Sequence, residues 1–125
     1  MATGSRTEPP DVLIIDDDPA VVAVLARVLD ELGWSARSVG SAEEALELLR
    51  TDAFALILLD IDLPGMTGFQ ALERIAGLSK APVLLMSGSA DEEFRKDALL
   101  LGAKGLLRKP FELSELKTRL SGLLA

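Results

Sequence analysis

Three consecutive aspartates, Asp16, Asp17 and Asp18, end an apolar run that begins at Val12, and Pro19 follows them. Adjacent like charges repel, and carboxylates at the end of a buried run lose hydration, so the arrangement destabilises the fold unless something offsets it. A helix cap, a lysine or a metal ion could each do so, and each implies a different function. Polar residues end other apolar runs as well. "ALILLDID" delivers Asp60 and Asp62, "PVLLMS" delivers Ser87, and "GLLRK" delivers Lys109. Carboxylates, a hydroxyl and an ammonium gathered in one pocket could seat a hard, oxygen-liganded cation and stabilise an anionic transition state.

Whether they gather depends on the elements that carry them. Val12–Ile15 reads as a strand. Asp18 can cap a helix opening at Pro19, whose apolar positions Val21, Val24, Leu25, Val28, Leu29 and Leu32 recur at three-to-four spacing until Gly33. "WSARSV" alternates like a half-buried edge strand, and Ser41 and Glu44 stand at capping-box spacing before the next helix. The wholly apolar stretch Ala55–Leu59 predicts a central strand covered on both faces. A helix over Gly68–Leu78, a strand over Pro82–Met86, a charged helix over Asp91–Leu101, the strand "GLLR" and a helix over Leu113–Leu123 complete the pattern. Strict strand–helix alternation with short connections predicts an α/β fold: a doubly wound, five-stranded parallel sheet with helices on both faces. In such sheets ligands bind beyond the carboxyl ends of the strands, where strand order reverses. Asp16-Asp17, Asp60, Ser87 and Lys109 stand at four of those ends.

The composition narrows the chemistry further. At 125 residues, 49% hydrophobic and 26% charged, the chain has the size and apolar content of one domain, expected over residues 11–125 behind a flexible polar arm, residues 1–10. A net charge of −7 disfavours nucleic acid as a partner. With neither cysteine nor histidine, the chain has no disulfide, thiolate or imidazole ligand, and no phosphohistidine of its own. Its apolar runs are far shorter than a membrane span, and its start lacks a hydrophobic signal core. A soluble cytoplasmic protein is the expectation. No glycine-rich phosphate loop is visible, so nucleotide binding has no support.

The motifs "IIDDDP", "LLDIDLPGMTG", "VLLMSGSA" and "LLRKPF" resemble, in order and spacing, those of the receiver domain of two-component response regulators, over about Asp11 to Leu123. The resemblance implies a flavodoxin-like fold of five βα units. It also implies that Asp60 accepts the phosphoryl group, that Asp17 binds Mg²⁺ directly, and that Asp16 holds the ion largely through water. Asp62 would lend its backbone carbonyl to the metal, Ser87 would turn its hydroxyl toward the phosphoryl group, and Lys109 would pair with it. Pro110 matches a residue usually joined by a cis bond. The chemistry explains the residue types. An aspartate attacking phosphorus in line faces repulsion from the phosphoryl oxygens; a divalent cation seated by further carboxylates relieves it, and the lysine and hydroxyl reach the remaining oxygens. On this view Asp16 and Asp17 form the metal seat and Asp18 caps the helix.

The implied function is a phosphoacceptor that relays a signal from a histidine kinase or phosphotransfer protein. It would not be an enzyme beyond its own phosphorylation and dephosphorylation, and it would be either a stand-alone regulator or a receiver excised from a larger protein. Two other readings compete: a pseudo-receiver that serves only as an interaction module, and a phosphatase of the haloacid-dehalogenase type, prompted by the D-x-D of Asp60 and Asp62. The latter needs its D-x-D after the first strand. One departure from the family pattern is Leu106, three positions before the lysine, where many receivers carry an aromatic residue. Output to a downstream protein, or to a second copy, is expected through the 91–101 helix and the strand over 104–108. There Phe94, Ala98 and Leu101 would face the sheet, while Arg95, Leu99 and Leu106 form the surface.

Overall fold

A computed structural model describes residues 11–89 and 92–124. The arm expected over residues 1–10, and Asp91 at the start of the charged helix, lie outside the described residues. Five strands, β1 (Asp11–Ile15), β2 (Ser35–Val39), β3 (Leu56–Asp60), β4 (Val83–Ser87) and β5 (Gly105–Arg108), alternate with five helices. These are α1 (Pro19–Glu31), α2 (Ala42–Leu49), α3 (Gly68–Leu78), α4 (Glu92–Leu100) and α5 (Leu113–Leu124). All strand pairs are parallel, in the order β2-β1-β3-β4-β5. The order reverses between β1 and β3, so the crevice beyond those two strands is the topological switch point.

Successive residues of β1, β3, β4 and β5 alternate between two apolar layers. Leu13, Ile15, Ile57, Leu59, Leu85 and Leu106 pack against α2, α3 and Ala98 of α4. Val12, Ile14, Leu56, Leu58, Leu84, Met86 and Leu107 pack against Leu25, Val28 and Leu29 of α1 and Leu116 and Leu120 of α5. Every residue of β3 and β4 is buried, as expected of strands with helices on both faces. Each runs one residue further than its apolar stretch, so Asp60 and Ser87 are the last residues of their strands rather than the first of their loops.

The helix starts follow local chemistry. Asp18 accepts from the Ala20 amide at 2.9 Å and Pro19 takes the first helical position. The Ser41 hydroxyl accepts from the Glu44 amide, but the Glu44 carboxylate reaches back to the Gly40 amide and the Ser41 hydroxyl rather than to the Ser41 amide. The reciprocal capping box lies elsewhere, between Thr67 and Gln70 at the start of α3. Behind it, Gly68 passes so close to Ile61 that a Cβ would collide with that side chain, which is why the β3–α3 loop can fold tightly under the pocket.

Two expectations on the α4 side are corrected. Leu106 is 6% exposed and belongs to the core, because α4 covers its face of β5. It forms no outward pair with Leu99. Leu101 is 50% exposed rather than packed on the sheet, because α4 ends at Leu100. Among the described residues of α4 only Ala98 is buried. No helix among the described residues is long and apolar enough to cross a membrane.

Candidate functional site

The register of the sheet brings the chemical residues together. Ile15 lies opposite Leu59, Asp60 opposite Met86, and Ser87 opposite Arg108, so Asp16, Asp60, Ser87 and Lys109 emerge side by side at the carboxyl edge. Asp16 and Asp60 are 3% and 4% exposed. Lys109 bridges them, its Nζ donating to Asp16 Oδ2 at 2.8 Å and standing 3.3 Å from Asp60 Oδ2. The remaining oxygens accept from the backbone: Asp16 Oδ1 from the Asp18 amide and Asp60 Oδ1 from the Asp62 amide, each at 2.9 Å. Each loop thus turns back two residues on to satisfy a buried carboxylate, as Asx turns do. The Lys109 amide donates to the Ser87 carbonyl at 2.9 Å, and the Lys109–Pro110 bond is cis.

Burial is the largest influence on Asp60 and raises its pKa above the ordinary carboxylate value; the negative charge of Asp16 adds to the rise, and the Asp62 amide and Lys109 oppose it. For Lys109, burial opposes the charge, but the hydrogen bond to Asp16 and the fields of Asp60 and Asp16 outweigh it and raise the pKa. The pocket therefore holds an electrostatic imbalance: two buried carboxylates share one ammonium, and the exposed Asp17 adds a third.

Asp16, Asp17 and Asp60 each offer a carboxylate oxygen within 4.8 Å of the others. An all-oxygen, anionic donor set of this size fits a hard divalent cation such as Mg²⁺. Asp62, expected to contribute through its backbone, directs its exposed side chain elsewhere. Its Oδ2 accepts from the Ser87 hydroxyl at 3.1 Å and from the Gly88 amide at 3.2 Å, tying the β3–α3 loop to the β4–α4 loop. Sequence reasoning missed this contact, since residues 25 apart carry no local signal of it. It missed equally the stack of Phe69 on Phe94, with ring centroids 4.5 Å apart, which joins α3 to α4. Arg95 and Leu99 are exposed, Arg95 in an ion pair with Glu92 at 3.0 Å, and Leu100 beside them is more exposed than Leu99. The D-x-D follows the third strand, not the first.

A single doubly wound sheet with an acidic, lysine-bridged pocket at its switch point defines the class of α/β domain. The chain belongs to the response regulator receiver domain family, whose sequence profile matches residues 12–121. It is therefore a receiver domain of the two-component type. It is 36% identical over 115 residues to the transcriptional activator protein PfeR of Pseudomonas aeruginosa, covering 92% of this chain and 38% of that one. Among solved structures it is similar to a response regulator receiver domain protein from Methanospirillum hungatei, with a TM-score of 0.84, 28% identity and 94% of each chain covered. It is also similar to a Burkholderia pseudomallei response regulator described with a phosphorylated aspartic acid, calcium ion and citrate. There the TM-score is 0.78 and the identity 27%, over 92% of this chain and 66% of that one. The chain spans less than half the length of the curated relatives it matches.

Proposed function

We propose that Asp60 accepts a phosphoryl group from a histidine kinase or phosphotransfer protein, with Mg²⁺ held by Asp16, Asp17, Asp60 and the Asp62 backbone carbonyl. The observation that carries this reading is the buried Asp60 carboxylate, which has two carboxylates within ligand-sharing distance on one side and the Lys109 ammonium at 3.3 Å on the other. A carboxylate oxygen of Asp60 forms the new P–O bond as the donor's bond to phosphorus breaks, and the leaving group departs with that electron pair. Bound Mg²⁺ would supply the positive charge that offsets repulsion between nucleophile and phosphoryl oxygens. Lys109 is already placed to follow the charge, since its contact with Asp60 can pass to a phosphoryl oxygen while Asp16 keeps hold of the ammonium. The likeness to a regulator described with a phosphorylated aspartic acid and a divalent ion supports the same chemistry here.

On this reading the protein acts in the cytoplasm and catalyses nothing beyond its own phosphorylation and dephosphorylation. It passes the signal to a downstream protein or a second copy through the α4 side, where Arg95, Leu99 and Leu100 are exposed and Leu106 is core. Acetyl phosphate with Mg²⁺ should add one phosphoryl group by intact-protein mass spectrometry, and Asp60→Asn should abolish the addition. Equal labelling of the Asn variant would overturn the assignment.

A further inference from the structure

The Asp62 side chain has no role in the chemistry above, yet it contacts the Ser87 hydroxyl, which on that reading would turn toward an oxygen on Asp60. Ser87 Oγ accepts from the Ser89 amide at 3.0 Å and donates to Asp62 Oδ2 at 3.1 Å. A hydroxyl has one proton to give. While that proton is directed at Asp62, it is not available to an oxygen on Asp60. The same Asp62 oxygen also accepts from the Gly88 amide, so one carboxylate engages two successive donors at the start of the β4–α4 loop. Asp62 is held beside Asp60 by its own amide, which donates to Asp60 Oδ1 at 2.9 Å. It is therefore a tethered anion, present at the high effective concentration of an intramolecular ligand.

We infer that the Asp62 carboxylate is a positioning residue that holds the Ser87 hydroxyl and the Gly88 amide in the unmodified protein, and that an anionic group on Asp60 must displace it to engage the hydroxyl. This rests on the phosphoacceptor reading and gives that site a built-in competitor. Two ligands that compete for one donor oppose each other by the same factor in both directions. Removing the Asp62 carboxylate therefore favours the state in which Ser87 turns to Asp60. Simple charge repulsion between Asp62 and the anion would also favour binding once Asp62 is gone, but it would not depend on Ser87.

Beryllofluoride, a phosphoryl mimic, titrated at saturating Mg²⁺ separates the two causes. Asp62→Ala should bind it about tenfold more tightly than the parent, the range expected when a charge-assisted hydrogen bond no longer competes. In a Ser87→Ala background the same Asp62 change should alter affinity by less than about twofold. In the Mg²⁺-free protein the Gly88 amide proton should move upfield in Asp62→Ala and keep most of its shift in Asp62→Asn, whose side-chain carbonyl still accepts. A Gly88 resonance unmoved by Asp62→Ala would refute the holding contact. An unchanged or weaker affinity in Asp62→Ala, or a gain that persists without the Ser87 hydroxyl, would refute the competition. If no form binds beryllofluoride, the phosphoacceptor reading falls and the competition with it, while the Gly88 resonance still decides whether Asp62 holds the loop.

Discussion

Asp16 and Asp62 make similar contacts in different surroundings. Each carboxylate accepts a loop amide and a second donor from the end of another strand: Asp18 and Lys109 for Asp16, Gly88 and Ser87 for Asp62. Asp16 is buried at the carboxyl edge of the sheet, whereas Asp62 lies exposed at a loop surface. In the first setting, removing the ammonium leaves like charges desolvated and facing each other, so the pair is hard to rearrange. In the second, water already reaches the exposed Asp62 carboxylate and can take the place of its partners there, so the contact exchanges more readily. The elements beside them differ in the same sense. α1 buries three residues against the sheet, whereas α4, which follows the Ser87 loop, buries Ala98 alone among its described residues. The pocket thus joins a wall fixed by packing to a wall held by a few exchangeable contacts, and the contacts that cost least to rearrange lie in the second.

The largest test of that contrast lies on the α4–β5 side. Leu106→Ala should destabilise the protein by about 3 kcal/mol, because it opens a cavity under α4, whereas the exposed Leu99→Ala should change stability by less than about 0.5 kcal/mol in the same urea titration. Similar losses for both would mean that Leu99 is also core, or that α4 does not cover β5.

A smaller effect, opposite in sign, is expected on the buried wall. Burial and Asp16 raise the pKa of Asp60 above its ordinary 3.8, so the folded protein binds that proton more tightly than the unfolded chain. The stability this contributes is full in acid and is lost as pH rises from 3.8 through the raised folded value. At neutral pH without divalent ions, the charged Asp60 therefore weakens the fold, and Asp60→Asn should raise Tm by a few degrees. The gain should shrink as pH falls through that window and vanish below it. A gain independent of pH would assign the effect to something other than the charge.

The smallest effect sharpens the role of the exposed third carboxylate. Millimolar Mg²⁺ should raise the Tm of the parent by binding the folded state alone, by an amount corresponding to about 1 kcal/mol near fivefold excess over Kd. Asp17→Asn should lose most of that response while keeping the parent's Tm in EDTA, since Asp17 is exposed and distributes little strain into the core. An undiminished Mg²⁺ response would remove Asp17 from the metal seat.

The sequence alone carries the order of strands and helices, because apolar run length, three-to-four periodicity and the caps at Asp18 and Ser41 are local properties. It also determined that four strands would end in carboxylate, hydroxyl or ammonium, since a parallel sheet places all carboxyl ends on one edge. It could not decide which side of β5 is covered. Four residues buried on one face or both give nearly the same apolar run, so the burial of Leu106 depends on where α4 packs. Nor could it pair the polar ends with one another. Lys109 reaches Asp16 across 93 residues and Ser87 reaches Asp62 across 25, and both contacts exist only because the register sets those strand ends side by side. Local spacing encodes elements, whereas the partner of a charge at the end of a strand is fixed by the neighbouring strands that the tertiary fold brings to it.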